Sequence, residues 1–369
     1  MSGQVRVGVI GGGLIAQAVH LPTLAKLPDR FDLVALADPS QTVREALGAR
    51  FGVPSTYADW RDLISTESLD AVIVGSPNGT HLDIVLAALE CGLHVLVEKP
   101  LCIDAQDVES ICVRREQARR VVQVGYQKRY DAGYEALLAA LPATADDLRF
   151  IDVVTYDPWM ARAPFAPADL VVGSDVPEQV LRQGAQRERE QVQAAVGVED
   201  PAAVKVFSNV FVGALVHDIN LVHGVLAHLG VELPARPTNC GYLSSGNGAD
   251  VAFRLGAGVA WQTAWLLLEG LEEFSETASF YFGDEIHRLR FSSPYLREQP
   301  TVHEIVSASE GAGRHSRSAR IHDSYLAELE HFHACIAQGA QCRTPPEQAR
   351  LDLIALRDAF LLSAQEVQA

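Results

Sequence analysis

Residues 5–20 read VRVGVIGGGLIAQAVH, which is a short apolar strand, three glycines and the start of a helical pattern. Gly11 permits a tight turn, Gly13 lets the backbone approach a pyrophosphate, and Ala16 keeps the helix close to the strand. This is the G-x-G-x-x-A form of a dinucleotide-binding fingerprint in its expected strand, turn and helix context. A glycine-rich turn without a ligand is the alternative interpretation.

An acidic residue at the end of the second predicted strand supports the dinucleotide. Asp38 lies 22 positions after Ala16, where its carboxylate would accept hydrogen bonds from an adenosine ribose. The same carboxylate would repel a 2′-phosphate, so we expect NAD as the cofactor in preference to NADP. The backbone N–H groups at the start of the helix, around Leu14 and Ile15, would face the pyrophosphate.

The composition excludes several classes of partner. A formal net charge of -17 disfavours nucleic-acid phosphate and anionic membrane surfaces, so we expect a small-molecule substrate, with no nucleic-acid and no membrane partner. The six cysteines show neither a C-x-x-C pair nor another metal-ligand spacing, which predicts buried thiols and no metal site. Since the first residues do not form a secretory signal, we predict a cytoplasmic location.

The hydrophobic pattern predicts two domains of different class. Through residue 124, short apolar runs alternate with helical patterns, which is typical of an N-terminal α/β domain with a Rossmann doubly wound parallel sheet. After Gly125, longer strand-like segments at 150–156, 256–268 and 278–282 predict a C-terminal α+β domain with an open-faced, mostly antiparallel β-sheet.

The predicted domain limits follow from these patterns. Residues 1–124 form the NAD-binding domain, residues 125–343 form the substrate-binding and oligomerisation domain, and a helix over 344–366 packs back on the first domain. Residues 173–203 are polar and interrupt the second domain. They fit a solvated helix or loop, a lid, or an oligomer contact.

Four stretches of the chain resemble the glucose-fructose oxidoreductase, inositol dehydrogenase and rhizopine-catabolism family (Gfo/Idh/MocA). They are Gly11–Ala16, Gly75–Asn78 with Thr80 and His81, Glu98-Lys99-Pro100, and Gly125–Asp131. The resemblance implies that Lys99 lies near the substrate hydroxyl and that the Lys99–Pro100 peptide bond is cis. It also implies an NAD-dependent dehydrogenase or reductase that acts on a CH–OH group.

The position of Lys99 agrees with the physics of open α/β sheets, where ligands sit outside the carboxyl ends of the strands. A lysine there could polarise a substrate hydroxyl, or act as a base if burial lowers its pKa. The alternative is a surface lysine that pairs with Glu98.

The resemblance also implies a set of cofactor contacts beyond the glycine turn. These are Ser76, Pro77, Asn78, His81, Glu98, Lys99 and Gln127. Turn chemistry alone would also place proline and asparagine in a strand-to-helix loop.

A second catalytic candidate lies in the apolar segment 211–224. At helical period, Gly213, His217, Asn220 and Gly224 share one stripe, which lines either a cavity or a close helix contact. In the resembled family this segment carries an active-site histidine, matched by His217, commonly with an aspartate four residues earlier. That position is Gly213 here, which is a departure from the family pattern.

The chemistry of alcohol oxidation assigns roles to these residues. A base must take the hydroxyl proton as hydride leaves, and a histidine near its ordinary pKa suits that task at neutral pH. We therefore predict His217 as acid/base, Lys99 as electrostatic helper and Asn220 as a substrate contact. Arg129, Tyr156 and Trp159 are further predicted substrate contacts, although core packing would equally explain the aromatic residues.

The expected function is hydride transfer between nicotinamide and a secondary hydroxyl or ketone of a sugar, glycoside or cyclitol, in a homodimer or homotetramer. Two alternatives are a dinucleotide-binding regulator of the same fold without turnover, and an NAD-dependent glycosidase or lyase that uses transient oxidation. The departure at Gly213 keeps the regulator under consideration.

Overall fold

The computed structural model describes residues 3–158, 170–243, 245–297, 299–307 and 314–366. The chain forms two compact units. The first comprises Met1–Tyr126, Pro167–Ala195 and Tyr325–Arg350, and the second comprises Gln127–Ala166, Val196–Ser324 and Leu351–Ala369. The limits predicted for folding domains, 1–124 and 125–343 with a returning helix 344–366, remain a prediction.

The first unit contains a parallel sheet. Its strands are β1 (Val5–Ile10), β2 (Phe31–Ala37), β3 (Ser55–Tyr57), β4 (Ala71–Val74), β5 (His94–Glu98) and β6 (Val122–Gly125). Their order is β3-β2-β1-β4-β5-β6, and all neighbouring pairs are parallel. The order reverses between β1 and β4, which is the point where such sheets bind ligands. The predicted doubly wound parallel sheet is confirmed.

Eleven α-helices occur in the described residues. They are α1 (Leu21–Ala25), α2 (Gln41–Phe51), α3 (Trp60–Thr66), α4 (His81–Glu90), α5 (Asp107–Ala118), α6 (Ala132–Ala140), α7 (Glu178–Val196), α8 (Pro201–Val206), α9 (Val216–His228), α10 (Ser324–Gln338) and α11 (Pro346–Glu366). π-Helical segments precede α1 at Ala16–His20 and α9 at Phe207–Leu215.

Apolar side chains cover both faces of the first sheet. Val7 and Val9 are fully buried on one face, in the cluster that includes Leu21 and Leu47. On the opposite face, a Cβ added to Gly8 would lie 2.9 Å from the Leu63 side chain. Because successive residues of a strand point to opposite faces, this packing explains why β1 is apolar throughout.

The second unit contains a larger sheet. Its strands are β7 (Phe150–Pro158), β8 (Arg236–Tyr242), β9 (Gly248–Arg254), β10 (Ala260–Leu268), β11 (Ser275–Tyr281), β12 (Glu285–Phe291), β13 (Val302–Ser307) and β14 (Arg314–Ala319). The order is β14-β13-β12-β11-β7-β10-β9-β8, and only the β7–β10 pair is parallel among these described strands. The predicted, mostly antiparallel sheet is confirmed.

One predicted strand starts too early. The segment expected to be extended from Gly256 begins as strand only at Ala260, because Gly256–Gly258 forms a 3₁₀ turn. Gly258 has a φ of 87°, a left-handed conformation that glycine adopts without steric cost.

The long helical stretch Pro201–His228 is apolar enough to cross a membrane by length and composition. However, 78% of its most apolar window is buried inside the protein. Packing in the protein core therefore accounts for its composition.

Candidate functional site

The glycine turn follows β1 in the first unit. Gly11 has a φ of 97°, and a Cβ there would lie 2.6 Å from the backbone oxygen of Gly75, so only glycine fits. Gly13 is exposed, and a Cβ added to it would meet nothing within 4 Å. The turn thus brings two strand ends together while leaving open space at the start of the following helix.

Asp38 is fixed beside this turn. Its Oδ2 accepts a hydrogen bond from Gly12 N at 2.8 Å, and its Oδ1 accepts one from Ser40 N at 2.9 Å. The Arg44 guanidinium donates to the Asp38 backbone oxygen at 2.6 Å. Since each carboxylate oxygen can accept a second hydrogen bond, Asp38 keeps capacity for ribose hydroxyls.

The loop after β4 lies at the same sheet edge, because β4 is the neighbour of β1. The Ser76 and Thr80 hydroxyls are 2.7 Å apart, and the Thr80 hydroxyl donates to Pro77 O at 2.7 Å. Pro77 is exposed and Asn78 is half-buried, at the start of a 3₁₀ turn. These hydrogen bonds hold the loop in shape and leave Pro77 accessible.

His81 ties this loop to the strand end that carries Lys99. Its Nδ1 lies 2.7 Å from Pro100 O, and its Nε2 lies 2.8 Å from Ser76 O. Burial lowers the pKa of His81, although the hydrogen bonds to the two backbone oxygens act in the opposite direction. The predicted cofactor residue His81 thus acts on the two loops that surround it.

Lys99 is half-buried, immediately after β5, and the Lys99–Pro100 peptide bond is cis. The cis bond implied by the resemblance is therefore confirmed. The neighbouring Glu98 carboxylate lies 2.8 Å from His20 Nε2. Glu98 is itself buried, which puts this predicted cofactor residue in a polar cluster inside the unit.

This cluster also contains residues that the sequence analysis missed. Glu328 on α10 is fully enclosed, and burial together with the charge of Glu98 raises its pKa well above the ordinary value. Gln123 donates to the Glu328 backbone oxygen at 3.0 Å. No sequence signal could have revealed the cluster, because its members are dispersed along the chain from position 20 to position 328.

The residues of the first unit fit a dinucleotide. The open space at Gly13 lies at a helix start, where backbone N–H groups favour an anion. Asp38 supplies acceptors for ribose hydroxyls, and the Ser76–Asn78 loop borders the switch point between β1 and β4.

In the second unit, the helical segment with His217 is nearly closed to solvent. Within residues 210–226, which the structure describes in full, only Gly213, Ala214 and His217 are partly exposed. His217 is thus partly exposed on an otherwise buried segment. His217 therefore has the accessibility that an acid/base role requires.

The helical period assumed from the sequence is wrong for part of this segment. Phe207–Leu215 is a π-helix with i→i+5 hydrogen bonds, and the α-helix starts at Val216. A Cβ on Gly213 would lie 2.8 Å from the carbonyl oxygen of Ser208, five residues earlier. This close contact with the Ser208 oxygen gives a physical reason for glycine where the resembled family commonly has aspartate.

The other end of the predicted stripe is a close packing contact. A Cβ on Gly224 would lie 2.3 Å from the Tyr134 hydroxyl and 2.4 Å from the guanidinium carbon of Arg129. Arg129 also donates to Asn220 O at 3.4 Å. The structure thus places the predicted substrate residue Arg129 against the helix, and glycine provides the room.

Asn220 makes its hydrogen bond inside the protein. Its Nδ2 donates to Asp352 Oδ2 at 2.8 Å, and His223 Nδ1 lies 2.7 Å from Asp352 Oδ1. All three side chains are buried. The structure therefore does not place the Asn220 amide among the partly exposed residues around His217. A contact between Asn220 and the substrate remains a prediction.

Three further residues were predicted to contact the cofactor or the substrate, and they lie at separate places in the chain. Gln127 is buried at the start of the 3₁₀ turn Gln127–Tyr130. Tyr156 on β7 is half-buried and points to the sheet face opposite that of its neighbour Thr155. Trp159 lies outside the described residues.

A buried ionic cluster includes Asp218, the residue that follows His217 in the chain. Lys128 Nζ binds Glu276 Oε1 and lies 3.3 Å from Asp218 Oδ1, and Thr155 donates to Asp218 Oδ2 at 3.2 Å. Burial alone would lower the pKa of Lys128, but the two carboxylates raise it. One ammonium thus serves two acids, and burial raises the pKa of Asp218 and that of Glu276, the latter to about 7.

This cluster predicts a pH-dependent contribution of Glu276 to stability. The pKa of Glu276 in the folded protein is about 7, above the ordinary value of 4.5. Proton binding by Glu276 therefore contributes its full amount to the free energy of unfolding below pH 4.5, and this contribution is lost as the pH rises through 7. As the pH rises from 4.5 to 7, we expect the free energy of unfolding of Glu276→Gln to increase on the order of 2–3 kcal/mol relative to that of the unmodified protein. Urea unfolding of both proteins at several pH values would measure it, and a constant difference would contradict the assignment.

Among the described residues, no group of three or more His, Cys, Asp or Glu side chains is arranged to hold a metal ion.

Comparison with known proteins gives a family match in the N-terminal part of the chain. Residues 5–126 match the model of an oxidoreductase family with an NAD-binding Rossmann fold. Inositol 2-dehydrogenase 3 of Saccharopolyspora erythraea is 42% identical over 139 residues, which are 36% of this chain and 39% of that protein. The chain therefore spans about two fifths of the length of this relative.

More distant matches extend further. Myo-inositol 2-dehydrogenase of Thermotoga maritima is 26% identical over 244 residues, which are 60% of this chain and 70% of that protein. The solved structure of UDP-N-acetylglucosamine 3-dehydrogenase from Acidithiobacillus ferrooxidans matches with a TM-score of 0.71 at 18% identity and covers 99% of each chain. This structural likeness shows a shared fold.

Proposed function

Because the chain belongs to the Gfo/Idh/MocA oxidoreductase family, we propose that it is an NAD-dependent dehydrogenase. In this proposal it transfers hydride between nicotinamide and a secondary hydroxyl or ketone of a sugar, glycoside or cyclitol. The inositol dehydrogenases among its relatives support the cyclitol class. A cytoplasmic location and a homodimer or homotetramer belong to the same proposal.

One observation carries the proposal. Lys99 follows the end of β5, at the carboxyl edge of the sheet that also holds the Gly11 turn and Asp38, and His81 fastens the adjoining loops. An ammonium group at this edge suits the stabilisation of a developing alkoxide.

The residues of this chain would divide the work as follows. The Gly11–Ala16 turn and the Ser76–Asn78 loop bind and orient the cofactor, and Asp38 holds its adenosine ribose. Bound NAD supplies the hydride acceptor. Lys99 stabilises negative charge on the substrate oxygen, and His217 takes the hydroxyl proton at an imidazole nitrogen.

The proposal is tested by incubating the purified protein with NAD and a panel of inositols and pyranosides. We expect NADH absorbance to appear with at least one polyol, and the product to be the matching ketone. No reduction of NAD or NADP by any member of the panel, together with tight NADH binding, would instead favour the regulator. A product that has lost a leaving group without net NADH would favour transient oxidation.

A further inference from the structure

A short segment before α7 lies across the cofactor turn of the first unit. This segment, residues 170–175, is called the strap here. Its Val171 pairs with the Gln17 side chain in both directions, since Gln17 Nε2 donates to Val171 O and Val171 N donates to Gln17 Oε1, each at 2.9 Å. Gln17 also donates to Gly12 O at 2.7 Å and is 4% exposed. The strap is therefore anchored to the glycine turn by a buried amide.

The strap places a carboxylate on the start of α2. Asp175 Oδ1 accepts from the Ser40 hydroxyl at 2.5 Å, and Asp175 Oδ2 accepts from Thr42 N at 3.0 Å. A Cβ on Gly173 would lie 2.2 Å from Ser40 Oγ, so the close approach of the strap depends on glycine. The hydrogen bonds from Ser40 and Thr42 lower the pKa of Asp175 to about 2. Asp175 is thus an anion at neutral pH.

Two carboxylates consequently flank Ser40. The backbone N–H of Ser40 donates to Asp38, and its hydroxyl donates to Asp175. The start of a helix favours an anion through its free N–H groups and its dipole, and Asp175 already occupies that position on α2. By contrast, the start of the helix after the glycine turn is open at Gly13.

We propose that Asp175 is a specificity-determining residue that excludes dinucleotides with a 2′-phosphate. This inference rests on the proposed function only in that a dinucleotide binds at the glycine turn with its adenosine ribose at Asp38. A 2′-phosphate carries a charge of about -1.5 to -2 at neutral pH, by analogy with other phosphate monoesters. Next to Asp38 it would have to displace Asp175 from Ser40 and Thr42, or lie against both carboxylates. The unphosphorylated ribose of NAD meets neither obstacle.

The test compares the Kd values of NADH and NADPH for the full chain, measured by nicotinamide fluorescence, with calorimetry of ADP-ribose and its 2′-phosphate as a readout independent of turnover. We expect Asp175→Asn to tighten NADPH binding about tenfold and to leave NADH binding within about twofold. Gly173→Ala, which pushes the strap from Ser40 without changing any charge, should also tighten NADPH binding. The gain from Asp175→Asn should shrink at high salt, because salt screens exposed charges.

Glu190→Gln is the matched control. Glu190 lies on α7, where its carboxylate binds Gln186, so this variant removes one negative charge without touching Ser40 or Thr42. It should leave both affinities unchanged. Equal NADPH affinity in Asp175→Asn and the unmodified protein would overturn the inference, as would an unmodified protein that binds NADPH as tightly as NADH. If no polyol is oxidised but Asp175→Asn still shifts the NADPH affinity, the proposed function fails and this inference stands.

Discussion

Replacing His217 with alanine is expected to lower kcat for polyol oxidation by about 10²–10⁴-fold, the usual contribution of a positioned general base. Replacing Lys99 with alanine should lower kcat by about 10²–10³-fold, because the developing alkoxide then lacks the stabilising positive charge of the lysine. Each loss should appear in single-turnover NADH formation. NADH binding should stay within about threefold in His217→Ala, since the glycine turn and Asp38 remain intact.

The chain offers a matched control for each substitution. His228 is exposed at the last residue of α9, the helix that also carries His217, and Lys205 is exposed on α8. His228→Ala and Lys205→Ala should retain full activity. Retained activity in both His217→Ala and Lys99→Ala would refute the assigned roles.

Replacing Lys128 with methionine is expected to destabilise the protein by about 3–5 kcal/mol at pH 8, the typical cost of removing one partner from a buried ion pair. Asp218 and Glu276 would then share a buried site with no cation. The loss should be smaller at pH 5, because protonation removes the uncompensated charges. Urea unfolding at the two pH values measures both effects.

Two variants complete this experiment. Lys205→Met changes an exposed lysine and should alter the free energy of unfolding by less than about 0.5 kcal/mol. Lys128→Met combined with Glu276→Gln removes the ammonium and one carboxylate together, so it should be less destabilising than Lys128→Met alone. A Lys128→Met variant as stable as Lys205→Met would show that the cluster contributes nothing.

Much of the fold was predictable because local patterns carry it. The buried strands of a parallel sheet are continuous apolar runs, and Val5–Ile10 and Ala71–Val74 are two such runs. The cofactor turn was equally accessible, since Gly11 must adopt a positive φ and approach Gly75 closely. Lys99 could be placed at a strand end because it follows a short apolar run that predicts a strand.

The π-helix before His217 was not predictable from the same patterns. Its residues Phe207–Leu215 are almost all apolar, so an α-helical and a π-helical backbone read alike in the sequence. The change of period moves the position of Gly213 relative to His217 and Asn220. Within α9 itself, the predicted stripe has an accessible end at His217 and a packed end at Gly224.

By itself, the sequence determined the strand-turn-helix of residues 5–20, the parallel sheet built around it, and Asp38 and Lys99 at strand ends. Only the tertiary structure decided which polar groups meet across long separations. Asp175 reaches Ser40 from 135 positions away, and Lys128 reaches Glu276 from 148. Periodicity and turn chemistry act between near neighbours in the chain, whereas these contacts depend on how distant segments pack.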